Sequence, residues 1–229
     1  MADKTISSNF GEQILDISPK MRLPETCERI VAFLDIMGFK DMVARHFETI
    51  KDKLEELSTF IDKTMDDDYQ YMIFSDSIIL YARSGGIEVF KSLLSKVSCI
   101  IEKSIALGLP IKGAIAKGEC TVSLGSKPFF FGQPIIDAYM LEEDVVLYGV
   151  VFHNTVEKMA RELGETSKDF VFDYPVPLKG GSSNHYILNW FGGDLENNKA
   201  NLLAIRLTVS DSPRRYIDNT LRCIDAILG

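Results

Sequence analysis

The sequence has few cysteines and no spacing that would pair them. Four cysteines are spread over 229 residues, with no CxxC pair and no cluster of cysteine and histidine. Disulfide-stapled domains and structural zinc modules depend on such spacings, so neither class is supported. The first eight residues are polar and contain no apolar signal core. Both features favour a cytoplasmic protein with reduced thiols.

The chain also lacks long apolar runs and any excess of positive charge. No apolar run reaches the roughly 18 residues of a membrane-spanning helix, so no span is expected. The net charge is −8, with acidic and basic residues interspersed, whereas a general nucleic-acid binder presents a basic face. A nucleotide site stays possible, because a few lysines suffice for it. There is no internal repeat and no low-complexity tract.

What is present is enough apolar material for one globular domain. Hydrophobic residues make up 46% of the chain, which can bury a sizeable core. We expect an N-terminal arm over 1–27, a main domain over 28–189 and a C-terminal extension over 190–229 packed on the same domain.

Hydrophobic periodicity predicts alternating strands and helices with inserted hairpins. That alternation favours an α+β fold, with a sheet covered by helices on one face. The predicted elements are a strand at 28–38, a helix at 39–65 that breaks once near its middle, a strand–turn–strand at 69–83, a helix from 85–86 to 107, strands at 109–119 and 120–123, a helix at 133–143, a strand at 145–152, a helix at 155–163, strands at 170–174 and 185–189, and finally a short strand and a helix after Pro213.

Two apolar stretches each carry one aspartate at a position where a strand interior prefers an apolar side chain. They are 33–39 (FLDIMGF), with Asp35, and 71–80 (YMIFSDSIIL), with Asp76. A buried carboxylate is costly unless it is paired or binds a metal. On neighbouring strands the two would share a divalent cation. In the alternative interpretation, Asp35 caps the following helix and Asp76 lies in a solvated hairpin turn.

Five segments, in order, give the chain a recognisable pattern. Two of the segments are the aspartate stretches. The other three are 111–118 (IKGAIAKG), 131–142 (with FG and AYMLE) and 177–180 (PLKG). Together they resemble the class III nucleotidyl cyclase catalytic domain, over roughly residues 28–189. The resemblance implies the class III cyclase fold, a ferredoxin-like βαββαβ sheet covered by helices, here with a C-terminal strand–helix extension.

The resemblance also implies a site and a reaction. Two Mn²⁺ or Mg²⁺ ions would be held by Asp35 and Asp76, with the carbonyl of Ile36 as a further ligand. The ribose 3′-oxygen of a nucleoside triphosphate would attack the α-phosphorus, and pyrophosphate would leave.

Backbone N–H groups and lysines would bind the phosphates. The turn formed by Met37, Gly38 and Phe39 precedes a helix and would offer its N–H groups. Lys112 and Lys179 are the candidate cations. Their alternatives are an exposed edge residue and a turn lysine, respectively.

At several positions this sequence differs from the purine cyclases of the same family. The helix asparagine and arginine of purine cyclases align with Ile136 and Met140, and the adenine-reading lysine and aspartate align with Met72 and Phe129. The AYMLE helix is closer to the pyrimidine cyclases of the Pycsar anti-phage type. That resemblance implies a cytoplasmic homodimer, with sites at its interface, that makes cyclic UMP or cyclic CMP. Asp137 and Tyr139 would serve either the site or the dimer.

Two other functions stay open from the sequence. The first is a catalytically inactive cyclase-like module that binds nucleotide or protein. The second is a polymerase-like dinucleotide synthase, which ranks lower because the hairpin lacks a Gly-Gly-Asp/Glu-Phe turn.

Overall fold

A computed structural model describes residues 25–123, 129–166 and 170–228. Most of the predicted arm, residues 1–24, lies outside the described residues, and its last three residues belong to the first strand. The elements are β1 (Glu25–Ile36), α1 (Phe39–Thr64), β2 (Tyr69–Phe74), β3 (Ser77–Ala82), α2 (Ile87–Ala106), β4 (Ile111–Ser123), β5 (Phe129–Gly132), α3 (Gln133–Asp144), β6 (Gly149–Phe152), α4 (Glu157–Thr166), β7 (Val171–Leu178), β8 (Gly181–Leu188), α5 (Leu195–Thr208) and α6 (Ser212–Leu228).

The first six elements form a βαββαβ unit. Its strands lie in the order β2-β3-β1-β4, and each neighbouring pair is antiparallel. The sheet continues through β6, which is parallel to β4, and ends with the β8–β7 hairpin, while β5 pairs with the distal part of β4. The α+β fold class and the ferredoxin-like order are therefore confirmed.

The two faces of the sheet are covered differently. Side chains alternate along β1, so Ala32 and Leu34 face the main core with α1 and α2. Phe33 faces the other side, where it packs with Ala114 and with Ala138 of α3. The expectation that helices cover one face was wrong, because α3 crosses the second face of the central strands. We call this second, α3-bearing side the α3 face.

Three further elements differ from the sequence prediction, and one predicted irregularity is present. The strands predicted at 109–119 and 120–123 are the single strand β4, and the three phenylalanines before α3 form β5. The predicted break in α1 is present at His46, whose φ of −144° is not helical. The short strand predicted in the C-terminal extension was wrong: α5 occupies that region, where Asp194 caps the helix by accepting from the Asn197 N–H.

The C-terminal helix reaches back to the middle of the chain. The Asn219 side chain donates to the Val146 carbonyl at 2.7 Å, and the Tyr148 N–H donates to Thr220 Oγ1 at 2.8 Å. The connection between α3 and β6 thus obtains buried hydrogen-bond partners from α6. The division into an arm, a main domain and an extension stays a prediction.

Candidate functional site

The structure brings the two aspartates to one end of the central strands. Asp35 is the second-last residue of β1 and lies opposite Ser77 of β3. Asp76 precedes Ser77 in the two-residue β2–β3 turn, and its carbonyl accepts a 2.9 Å hydrogen bond from the Ile36 N–H. Ser75, the first turn residue, has a φ of 58°, as in type II′ hairpin turns. The hairpin therefore carries Asp76 alongside the end of β1.

Asp35 does not cap the following helix. The residue before α1 is Gly38, which has a φ of 75° and makes no side-chain capping bond. The capping interpretation of Asp35 is therefore wrong. The alternative interpretation of Asp76 placed it in a solvated hairpin turn. Asp76 does lie in a hairpin turn, and its side chain is only partly exposed.

Negative charge accumulates around Asp35. Burial raises the pKa of its carboxyl to about 7, and the charges of Glu142, Asp76 and Glu143 act in the same direction, while Lys112 opposes them. Two carboxylates this close disfavour each other's ionisation unless a cation neutralises them. The electrostatics of the pair therefore fit a divalent cation.

The chemistry of the donors also fits a cation whose shell is completed by phosphate and water. Among the described residues, no group of three or more histidine, cysteine, aspartate or glutamate side chains is arranged to hold a metal ion. Mg²⁺ is usually bound by one or two carboxylates and keeps water and substrate phosphates as its other ligands. Asp35 and Asp76, with the carbonyl of Ile36, are the protein ligands that we predict.

Lys112 lies beside Asp35 but inside the fold. It is the cross-strand partner of Asp35 on β4 and is only 5% exposed, so the alternative of an exposed edge residue is wrong. Its ammonium forms a 2.8 Å ion pair with Glu142 of α3, which is also buried. The sequence contained Glu142 in the AYMLE segment but gave no sign of its role. A lysine and a glutamate 30 residues apart show no pattern that pairs them.

Lys179 lies at the turn of the β7–β8 hairpin and is exposed. Its N–H donates to the Asp144 carbonyl at 2.8 Å, which ties the hairpin to the end of α3. Burial raises the pKa of Glu142, and the charges of Lys112 and Lys179 act against that rise. Both predicted lysines are therefore close enough to influence one carboxylate near Asp35.

The predicted phosphate turn is partly occupied by the fold itself. The Met37 N–H donates to the Pro110 carbonyl at 2.8 Å. That amide already has a partner, so Met37 is a weaker candidate than the sequence suggested. The N–H groups of Gly38 and Phe39 stay as predicted phosphate donors.

The positions that depart from purine cyclases lie on the surface of the α3 face. Ile136 and Met140 are 49% and 61% exposed and stand one helical turn apart. Tyr139 makes an edge-on contact with Phe33. Two other large apolar side chains are exposed, Phe74 at the end of β2 and Phe131 on β5.

A pH dependence of metal binding follows from Asp35. The carboxyl must lose its proton to bind a cation, and its pKa of about 7 lies above the ordinary value. The Mn²⁺ affinity is expected to rise by up to about tenfold per pH unit below pH 7 and to level off above it. Electron paramagnetic resonance of free Mn²⁺ between roughly pH 5.5 and 8.5 measures this, with Asp35→Asn as the control. An affinity that is flat below pH 7 would contradict the assignment.

Comparison with known proteins identifies the fold. No protein-family profile matches the sequence. No curated protein matches it either. The catalytic core of a rhodopsin-guanylyl cyclase with converted specificity, in complex with ATPαS, superposes with a TM-score of 0.56 at 16% identity, covering 72% of this chain and 98% of that one. The monomeric guanylyl cyclase domain of the RhoGC fusion protein from the aquatic fungus Blastocladiella emersonii gives 0.58 at 14%, covering 72% and 96%.

A bacterial light-regulated adenylyl cyclase is similar as well, with a TM-score of 0.56 at 13% identity over 82% of this chain and 59% of that one. At these identities the likeness establishes the fold alone. The chain therefore has the fold of class III nucleotidyl cyclase domains. None of the helices in the described residues is long and apolar enough to cross a membrane.

Proposed function

We propose that this protein is a metal-dependent nucleotidyl cyclase. The observation that supports the proposal is that the β2–β3 turn carrying Asp76 is hydrogen-bonded to the end of β1, which carries Asp35, in a chain with the fold of cyclase domains. Burial and neighbouring carboxylates raise the pKa of Asp35, so a bound cation would stabilise its ionised form.

The chain's own residues have three tasks in this reaction. Asp35 and Asp76 hold the cations, which when bound neutralise phosphate charge and acidify the ribose 3′-hydroxyl. The Gly38–Phe39 turn and Lys179 orient the triphosphate, and Lys112 adds positive charge behind Asp35. The 3′-oxygen loses its proton and bonds to the α-phosphorus as the bond to pyrophosphate breaks, a step that depends on positioning and charge rather than covalent catalysis.

The substrate we propose is a pyrimidine triphosphate, UTP or CTP. Met72 and Phe129 replace the lysine and aspartate with which purine cyclases read adenine, and Met72 lies opposite Ile79 of β3. The likeness of the AYMLE helix to the Pycsar cyclases further supports cyclic UMP or cyclic CMP as a cytoplasmic messenger in anti-phage defence.

We also propose that the working unit is a homodimer. Ile136 and Met140 stand one helical turn apart on the exposed side of α3 and form an apolar surface there. A protein rarely leaves large apolar side chains together on its surface unless another surface covers them. A second copy would cover them and place the α3 of one subunit against the aspartate site of the other.

A product assay tests the reaction and the base together. We expect incubation with each of the four nucleoside triphosphates and Mn²⁺ to yield a 3′,5′-cyclic monophosphate from UTP or CTP, detected by mass spectrometry. A cyclic purine product would refute the pyrimidine assignment but keep the cyclase. No product from any of the four would refute the cyclase.

The second candidate function is a nucleotide-binding module without catalysis. Two observations favour it: apolar side chains occupy the positions of the asparagine and arginine, and Lys112 is already paired with Glu142. Loss of one charge-stabilising donor typically costs about 3 kcal/mol of barrier. Calorimetric binding of a triphosphate without any product would favour this module.

A further inference from the structure

The last turn of α3 surrounds the Lys112 ammonium with oxygen atoms. Nζ lies 2.8 Å from Glu142 Oε1, 2.8 Å from the Glu142 carbonyl and 3.5 Å from the Glu143 carbonyl. The ammonium donates hydrogen bonds to the two carbonyls, and the Glu142 carboxylate is its ion-pair partner. Carbonyls at a helix C-terminus also carry partial negative charge, which favours a cation there.

Burial makes this pair hard to open. Lys112 is 5% exposed and Glu142 is 3% exposed. Separating the two would leave a buried charge without its counter-charge, which is strongly unfavourable. The ammonium is therefore held in place rather than free to swing toward a ligand.

The same helix end also positions the second lysine. The Asp144 carbonyl, two residues after Glu142, accepts from the Lys179 N–H and so anchors the β7–β8 turn. Lys112 in turn is the direct cross-strand neighbour of Asp35. One helical turn thus fixes the Lys112 ammonium and the backbone of Lys179 relative to Asp35.

Resting on the proposed function, we propose that Glu142 is a positioning residue for triphosphate binding. It fixes the Lys112 ammonium behind Asp35, so that its charge acts on a metal-bound triphosphate from a constant place. Lys112 then acts on the triphosphate through its electrostatic field and does not bind a phosphate directly.

The test uses a probe that carries no base. Binding of tripolyphosphate in the presence of Mn²⁺ is measured by calorimetry on the full chain. Glu142→Gln keeps the side-chain shape and removes the charge that holds Lys112, and we expect about tenfold weaker binding. Glu143→Gln removes an exposed carboxylate one residue away and keeps its carbonyl, and we expect equal or tighter binding. Equal behaviour of the two variants, or tighter binding by Glu142→Gln, would overturn the proposal.

A second variant separates positioning from folding. Lys112→Met combined with Glu142→Leu replaces the buried pair by apolar side chains, which proteins often tolerate without loss of stability. We expect a folded protein with its thermal midpoint preserved and tripolyphosphate binding again about tenfold weaker. Wild-type binding by this folded double variant would show that the pair is only structural and overturn the proposal.

The outcome for the unmodified chain separates this inference from the cyclase proposal. Tripolyphosphate binding that depends on Glu142, without any cyclic product, supports the positioning role and refutes the cyclase. No tripolyphosphate binding by the unmodified chain overturns the positioning role.

Discussion

Asp76→Ala is expected to abolish cyclic-nucleotide formation and leave the protein folded. The change removes one of the two carboxylates that would hold the cations, and bound metal supplies several kcal/mol of transition-state stabilisation. Turnover should therefore fall by at least about a hundredfold, since each 1.4 kcal/mol is about tenfold in rate. The fold should persist, because Asp76 contacts Ile36 through its backbone carbonyl, which alanine retains. Mass spectrometry of the product and circular dichroism measure the two effects.

Asp67→Asn is the matched control for that experiment. Asp67 is an exposed aspartate in the turn at the other end of β2. Its replacement changes the net charge by the same amount, and turnover should stay within about twofold, as for ordinary surface substitutions. Undiminished turnover in Asp76→Ala would overturn the assignment of Asp76 as a metal ligand.

Gly132→Ala is expected to cause the largest loss of stability. A Cβ at this position would lie 2.3 Å from Cys120 Cβ and 2.6 Å from the Glu119 carbonyl, because β5 passes very close to β4 there. The Glu119 carbonyl oxygen is a backbone atom, and so is Cys120 Cα, which would also lie 2.6 Å away. The two strands must therefore separate. Overpacking of this kind costs about 3 kcal/mol at the upper end of its usual range. In a domain of this size the thermal midpoint should fall by roughly 6–12 °C.

Gly180→Ala provides the comparison for the glycine variant. No atom lies within 4 Å of the Cβ that it would add, and its φ is not in the left-handed region. Its thermal midpoint should match that of the unmodified protein, as measured by differential scanning calorimetry. If Gly132→Ala unfolds at the same temperature as Gly180→Ala, the close approach of β4 and β5 is wrong.

Much of the fold was predictable because its signals are local. The helical spacing of Phe90, Leu93, Leu94 and Val97 identifies α2, and all four side chains are fully buried. The aspartates could be found because a carboxylate within an apolar strand is costly and therefore informative. The site prediction depended on those two exceptions to an apolar pattern.

The rest depended on contacts between distant parts of the chain. The position of α3 on the second face is set by the packing of Ala138 against Phe33 and Ala114, and small residues carry no signal of which face they cover. The pairing of Lys112 with Glu142 likewise has no local pattern. The α5 region was predicted as a strand because its apolar residues show weak helical periodicity, and the Asp194 cap was not recognised.

The bonds from α6 to the α3–β6 connection also constrain how the protein is completed during translation. The Val146 carbonyl accepts from the Asn219 side chain, and the Tyr148 amide donates to Thr220 Oγ1. Because buried backbone groups need partners, this connection cannot settle until the last helix has left the ribosome. A nascent chain stalled before that helix would lack both bonds, and the segment that follows α3 would be held less firmly.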